Sequence, residues 1–375
     1  MESKALENRV IIATGGTGGH VFPALAVADE LISRGVKPIF LSDKRGEKYI
    51  KKVQNIDIII LPIKNFQSMN IFQNIKNFYL LLFSIIKSVY ILLKIKPSLV
   101  LGFGGIASLP SLLVAYYFRI PTVIHEQNAI MGRANKFLSK FAKVILLSFD
   151  QTLNIPKKID NRSFVVGNPV RSSFIKDRKY TIPNKGEKIN ILILGGSQGA
   201  KLFSDVIPKV LSKFPNDIKD RIKITHQCRH TDVERVNRYY QESSINNDTR
   251  GFICDIADVL INSHLVISRA GASSLSEILV TNIPSIIIPF KYSKDNHQSL
   301  NAKKLTNAGA SWLIEEDNVV DVKLSKLLDQ IFSSLDVLSK NSTNAYKISK
   351  PNAAKDFVNI LESNFFNVSF REEGL

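Results

Sequence analysis

Cysteine is almost missing from this 375-residue chain, which has only Cys228 and Cys254. Two thiols so far apart make neither a disulfide framework nor a zinc site, and they fit a reducing compartment. No Asp-x-Asp pair occurs, so the usual means of bridging two phosphates through a divalent ion is lacking. There is no run of 18 uncharged apolar residues, and nothing is therefore expected to span a membrane. The first residues, Met1-Glu2-Ser3-Lys4, carry no signal-peptide pattern. Acidic groups are scarce: 33 Asp and Glu face 50 Lys and Arg, a formal charge of +17. That balance favours anionic partners, whether nucleic acid, phosphorylated ligands or a membrane face, although a lysine-rich composition alone produces the same number. No nucleic-acid-binding module or RNP-type aromatic pattern accompanies the charge, which argues against nucleic acid.

Two glycine turns dominate what is present. Gly15-Gly16-Thr17-Gly18-Gly19-His20 follows the apolar strand Val10-Ile11-Ile12-Ala13, and Gly195-Gly196-Ser197-Gln198-Gly199-Ala200 follows Ile191-Leu192-Ile193-Leu194. Glycine lets backbone approach a phosphate, and the helix that follows offers free N–H groups and a positive dipole. One such turn is often only tight packing; two, half a chain apart, predict two similar α/β domains facing one cleft. Length agrees, since 375 residues exceed what a single core usually supports. Neither turn has the Gly-x-Gly-x-x-Gly spacing of a hydride-transferring dehydrogenase.

Further strands are expected at 38–41, 58–61, 98–101, 121–124, 144–147 and 164–166, then at 222–225, 265–268 and 285–289. Apolar strands separated by helical stretches predict doubly wound parallel sheets covered on both faces. Asn168-Pro169 and the polar stretch after it read as the connection between halves. The expected domains are 1–168 plus 351–375, and 169–350, with the C-terminal helix packing back on the first. One long helix, 71–96, departs from the pattern. Ile71, Ile75, Phe78, Leu82, Ile85, Val89 and Leu92 form its expected core stripe. The opposite face mixes Lys76, Lys87 and Lys94 with Leu80, Phe83 and Tyr90, which suits the headgroup boundary of an anionic bilayer. Burial by a neighbouring loop or subunit is the competing reading.

Seven blocks, in order from about residue 10 to 312, carry a resemblance. They are Thr14 to Pro23, Gly102-Phe103-Gly104-Gly105, His125-Glu126-Gln127-Asn128, Gly167-Asn168-Pro169-Val170-Arg171, Gly195 to Ala200, Ser268 to Ala272 with Ser276-Glu277, and Asp295 to Asn301. Together they resemble the MurG family of bacterial cell-wall glycosyltransferases, within glycosyltransferase family 28. The resemblance implies a GT-B fold of two Rossmann-like domains. The reaction implied is inverting transfer of N-acetylglucosamine from UDP-GlcNAc to the muramic acid C4 hydroxyl of lipid I, giving lipid II. It also implies a peripheral enzyme on the cytoplasmic face of the bacterial inner membrane, with proteins of cell-wall synthesis and division as candidate partners. A diacylglycerol glycosyltransferase is the nearest rival, and a catalytically dead membrane scaffold a more distant one.

By the same resemblance Ser197 contacts a donor phosphate oxygen, with Arg171 near that charge and no metal or other cofactor expected. Glu277 takes the ribose hydroxyls, the Ile253 backbone reads the uracil, and Asn128 and Gln298 take the GlcNAc hydroxyls. Thr17, Gly18 and Gly19 line the donor site from the other domain, and Gly102, Gly104 and Gly105 hold the acceptor diphosphate. His297 stands where some members have Gln, and Ile106 where an aromatic residue often follows. His20, ending a glycine turn with an imidazole that titrates in the useful range, is the candidate general base, and Glu126 is the alternative. His226, His230 and His264 lack a motif and read as packing or surface residues.

Overall fold

The first strand, β1 (Val10–Ala13), alternates its side chains between two cores. Val10 and Ile12 enter one, Ile11 and Ala13 the other, as the two-residue period of a strand requires. The same division holds for β2 (Ile39–Ser42), β4 (Leu99–Gly102), β5 (Thr122–Glu126) and β6 (Val144–Leu147). With β3 (Asp57–Ile60) and β7 (Ser163–Val165) they form a parallel seven-stranded sheet in the order β3-β2-β1-β4-β5-β6-β7. A second parallel sheet has the order β10-β9-β8-β11-β12-β13. Its strands are β8 (Ile189–Leu194), β9 (Ile222–Gln227), β10 (Asn246–Arg250), β11 (Leu265–Ser268), β12 (Ser285–Ile287) and β13 (Trp312–Leu313). Each sheet starts in its middle and winds outward both ways, the doubly wound order.

This computed structural model describes residues 9–366 except 52, 54, 55, 65–70, 158, 177, 178, 185, 197 and 198. The chain divides into two compact units, Met1–Arg171 with Pro351–Leu375, and Ser172–Lys350. Arg171, the last residue of the first segment, has its guanidinium 4.4 Å over the Phe22 ring in α1 (Gly18–Ser33). The C-terminal helix Ala353–Phe365 completes the same core through Phe357, Val358 and Leu361. Phe357 stacks on Phe103 at 5.5 Å, and Arg34 bonds Glu362 at 2.7 Å.

Two further helices, α2 (Lys44–Ile50) and α3 (Ile71–Ile95), follow α1. The long α3 corrects the sequence reading of its faces. Its buried line runs through Asn77, Ser84, Ser88, Ile91 and Leu92, with Leu81, Ile85 and Val89 beside it. Ile75, Phe78 and Leu82, expected inside, are exposed. The buried face is therefore turned by about 100°, one residue's step around a helix. Small hydroxyl side chains permit this, because Ser84 and Ser88 return their O–H groups to the carbonyls of Leu80 and Ser84. Lys87, expected on the bilayer face, instead donates to Ile60 O at 2.8 Å, and Leu80 is half-buried. Phe83 and Tyr90 are exposed as expected, in a stripe with Phe72, Tyr79, Ile86 and Leu93. By length and composition Phe72–Ile95 could cross a membrane, contrary to the expectation that no segment could, yet it packs on the first sheet through Ile91 and Leu92.

Candidate active site

The glycine turns of the first unit lie at the C-terminal edge of its sheet, where such folds hold ligands. After β2, Asp43 caps α2 and is buried. Its Oδ1 accepts from the N–H groups of Gly16, Arg45 and Gly46 at 2.9, 3.1 and 2.8 Å. Its Oδ2 accepts from Arg45 Nε and Nη2 at 3.0 and 2.7 Å. Burial raises the carboxyl, but these donors outweigh it and hold Asp43 below the usual carboxylate range. The side chain of Arg45, so oriented, remains 48% exposed. It lines a cavity of about 100 Å³ with Gly15, Gly16, Thr17, His20, Gly105, Ile106 and Ala107. Sequence reading missed both residues; the available signal was an N-cap Asp directly after an apolar strand.

His20, in the first turn of α1, sets its Nδ1 3.1 Å from Gln127 Oε1. Gln127 is buried and places Nε2 3.0 Å from Phe103 O and 3.1 Å from His125 Nδ1. His125 is fully buried, with Nε2 3.2 Å from both Gly167 O and Ser148 Oγ. Burial pushes its pKa down to about 3, with the Gly167 carbonyl opposing and His20 adding to the fall. His125 is therefore neutral at ordinary pH. Gly104 and Gly105 have φ of +81° and +72°, and a Cβ on either would come within 3.3 or 3.5 Å of the His20 ring. The positive φ favours glycine at both positions, and at Gly104 a Cβ would also crowd the ring.

Two expected roles are not supported by the geometry. Glu126 is buried, and its Oε1 accepts from Asn128 N and Nδ2 at 3.0 and 3.1 Å. Its Oε2 accepts from Gly132 N and Asn135 Nδ2 at 2.9 and 2.8 Å. A carboxylate with four donors anchors the 126–135 loop and has no lone pair directed at a substrate. Gly102 is the last residue of β4, paired with Ala13 and Ile124, and a Cβ there would meet Leu112 at 2.7 Å. Its glycine serves packing, not acceptor contact. Gly18 is likewise buried, with Phe22 2.6 Å from its Cβ position, while Thr17 and Gly19 are exposed. Thr17, His20 and Gly105 are thus brought around one cavity; Gly18, Gly102 and Glu126 are not.

In the second unit the 195–200 turn closes on the end of β9. Gly199 has φ +68°, and a Cβ there would lie 2.6 Å from Arg229 N. Ser197 lies outside the described residues. Ile253 is buried after β10, and Glu277 is half-buried on the helix Ala272–Val280. Gln298 sits in the first turn of the helix His297–Asn307, and its Oε1 accepts from the N–H groups of Ala270 and Phe290, at 3.2 and 2.9 Å. Any sugar contact by Gln298 therefore falls to its NH2 group. Asp295 and Asn296 before it both take left-handed φ, +52° and +53°, an unusual pair outside glycine. His297 Nδ1 is bound to Lys294 O at 2.6 Å. A residue without an expected role, Arg269, supports this corner. Its Nη1 reaches Glu316 Oε2 at 2.6 Å, with the carbonyls of Ile288 and Pro289 at 3.0 and 3.1 Å, and its guanidinium lies 4.7 Å over Phe203.

Residues 10–147 match the glycosyltransferase family 28 N-terminal domain, and residues 190–358 match its C-terminal domain. This chain belongs to glycosyltransferase family 28. It is similar to proteins named UDP-N-acetylglucosamine--N-acetylmuramyl-(pentapeptide) pyrophosphoryl-undecaprenol N-acetylglucosamine transferase. That of Paramagnetospirillum magneticum is 34% identical over 354 residues, 94% of this chain and 95% of the other. That of Wolbachia pipientis subsp. Culex pipiens is 36% identical over 349 residues, 93% and 97% of the two chains. The crystal structure of MurG from Acinetobacter baumannii aligns with a TM-score of 0.73 at 28% identity, over 95% of this chain and 99% of that one. A UDP-GlcNAc 2-epimerase from Neisseria meningitidis, 15% identical with a TM-score of 0.67, shares the fold. The family 28 chain is thus α/β with two Rossmann-like parallel-sheet units, GT-B-like as expected.

Proposed function

We propose that the chain moves N-acetylglucosamine from UDP-GlcNAc to the C4 hydroxyl of the muramic acid sugar of lipid I, forming lipid II for peptidoglycan. The observation that carries this is the near end-to-end likeness to transferases of that name, at 34% and 36% identity over 94% and 93% of the chain. In the reaction the acceptor oxygen attacks the anomeric carbon from the face opposite UDP. The bond from that carbon to the β-phosphate oxygen breaks, its electron pair leaves on UDP, and the hydroxyl proton passes to a base. His20 is the proposed base, since its ring borders the cavity of the first unit.

The acceptor diphosphate is assigned to that cavity, where Arg45 and the turn amide of Thr17 offer donors. Gly105 borders the cavity, and Gly104, lacking a Cβ, leaves room for the His20 ring. Donor binding is assigned to the second unit: the 195–200 turn with Ser197 for the diphosphate, Glu277 for the ribose, and the Ile253 backbone for the uracil. The NH2 of Gln298 is left for the sugar. The exposed stripe of α3, with Lys76, Lys94 and Lys96 also exposed, is assigned to the anionic cytoplasmic face of the inner membrane. Proteins of wall synthesis and division are candidate partners there.

The test is transfer of labelled GlcNAc to a lipid I analogue, with and without EDTA. Transfer that survives chelation supports both the substrate pair and leaving-group stabilisation by backbone amides. Loss with EDTA refutes the second point only. Transfer to diacylglycerol in place of lipid I refutes the substrate assignment.

A further inference from the structure

Gln127 belongs to a chain of hydrogen bonds whose direction is fixed at two places by backbone carbonyls, which can only accept. The first is Phe103 O, 3.0 Å from Gln127 Nε2, so the NH2 end of this amide points into the core and Oε1 points at His20. The same NH2 group lies 3.1 Å from His125 Nδ1, which must therefore accept. The hydrogen of His125 then sits on Nε2, and there the second carbonyl, Gly167 O, waits at 3.2 Å. Both carbonyls require the same polarity, and burial of His125 in neutral form agrees with it. Followed outward, the chain ends at Gln127 Oε1, an acceptor 3.1 Å from His20 Nδ1. That nitrogen has to carry a hydrogen.

We propose that Gln127 is a positioning residue that holds neutral His20 as its Nδ1–H tautomer, leaving the Nε2 lone pair for the proton of the acceptor hydroxyl. The inference rests on the reading of His20 as general base. A neutral imidazole in water prefers the other tautomer, with hydrogen on Nε2. In that form His20 would turn a lone pair on the Gln127 oxygen and could not accept a proton at Nε2. Ring flipping does not escape the constraint, because it would exchange Nδ1 for Cδ2 opposite Gln127 Oε1 and lose this hydrogen bond. A neutral amide is also suited to a base that must release its proton after each turnover. It orients the ring without the charge by which a carboxylate would trap the imidazolium.

The experiment uses the full chain labelled with 15N-histidine, and a long-range 1H–15N correlation above pH 8, with the His20 signals identified by their loss in His20→Gln. The wild-type protein is expected to show His20 protonated at Nδ1. Gln127→Met, close in shape but without the acceptor oxygen, is expected to shift His20 toward the Nε2–H form. Its kcat is expected to fall about 10–100-fold with KM for both substrates within twofold, short of the ~10²–10⁴-fold cost of losing a base. A wild-type spectrum with His20 protonated at Nε2 overturns the proposal, and needs no variant to fold. So does a Gln127→Met enzyme that has the shifted tautomer and an unchanged kcat. A His20→Gln enzyme with wild-type kcat overturns the reading of His20 as base, and with it the catalytic half of the proposal, while the spectrum still decides the tautomer.

Discussion

Glu126, which anchors the 126–135 loop, and Arg45, which lines the cavity beside the 15–20 turn, are expected to differ in what their mutation does to substrate binding. Glu126→Gln sets an NH2 group against donors that now meet a carboxylate, so about 1–3 kcal/mol of stability should go. For units of this size that lowers the melting temperature by about 2–4 °C per kcal/mol, while kcat at a permissive temperature stays within a few-fold. Melting curves and steady-state rates from one preparation check it; an intact fold with a collapsed kcat would restore Glu126 as a base. Arg45→Ala should also cost about 1–3 kcal/mol, because it removes both donors from the buried Oδ2 of Asp43. Its expected effect on binding is a roughly tenfold rise in KM for a lipid I analogue with KM for UDP-GlcNAc unaffected, the scale of one charge-assisted hydrogen bond. Equal rises in both constants would remove Arg45 from the acceptor site.

Among the elements, α3 is the most exposed to test. Placing acidic groups on its outer stripe, Phe83→Glu with Ile86→Glu, should cut binding to vesicles of anionic phospholipid by at least about 100-fold, since each large apolar side chain contributes roughly 1.5–3 kcal/mol when buried. Activity on a water-soluble acceptor should persist. Unchanged co-sedimentation would refute the bilayer assignment. On the inner side, Ser88→Leu should cost about 1–3 kcal/mol by overpacking, an effect that hydropathy alone would give the opposite sign. The same helix shows where a sequence can be read and where it cannot. Buried parallel strands such as β1 and β11 announce themselves as short apolar runs after which glycine turns follow, so both sheets and most of the turns were legible. The faces of α3 were not, because small hydroxyl residues line its buried side and their close packing has no hydrophobic signature. The edge strand β10, Asn246-Asn247-Asp248-Thr249-Arg250, was missed for a related reason: all five of its residues are polar and none is buried. The cap itself was legible in Asp43 following an apolar strand, but its bond to Gly16, and with it the place of Arg45, comes from β2 and β1 lying side by side.

For the molecule as a whole, each unit hides one neutral histidine, His125 in the first and His226 in the second. Burial lowers both to about 3, with Asp232 opposing the fall at His226. Between pH 6.5 and 3 the unfolded chain binds these protons and the folded chain does not, so stability rises with pH across that window and falls on acidification. The slope approaches about 1.4 kcal/mol per pH unit for each histidine. Denaturant titrations between pH 7 and 5 should show the midpoint dropping, and a flat profile would contradict the buried neutral assignment. A fragment of residues 172–350 should unfold cooperatively alone, whereas residues 1–171 alone should not, lacking Phe357, Val358 and Leu361 in their core.

That missing piece has a consequence during synthesis. The first unit is begun at one end of the message and finished at the other, with all of Ser172–Lys350 made in between. At the usual ~5–20 residues per second, the ribosome spends roughly 10–40 s on that stretch. Throughout this interval β1 to β7 must wait without their last helix, with the apolar outer stripe of α3 already made. The second unit is therefore the first to mature, and the half-built first unit is a natural client for a chaperone on the nascent chain.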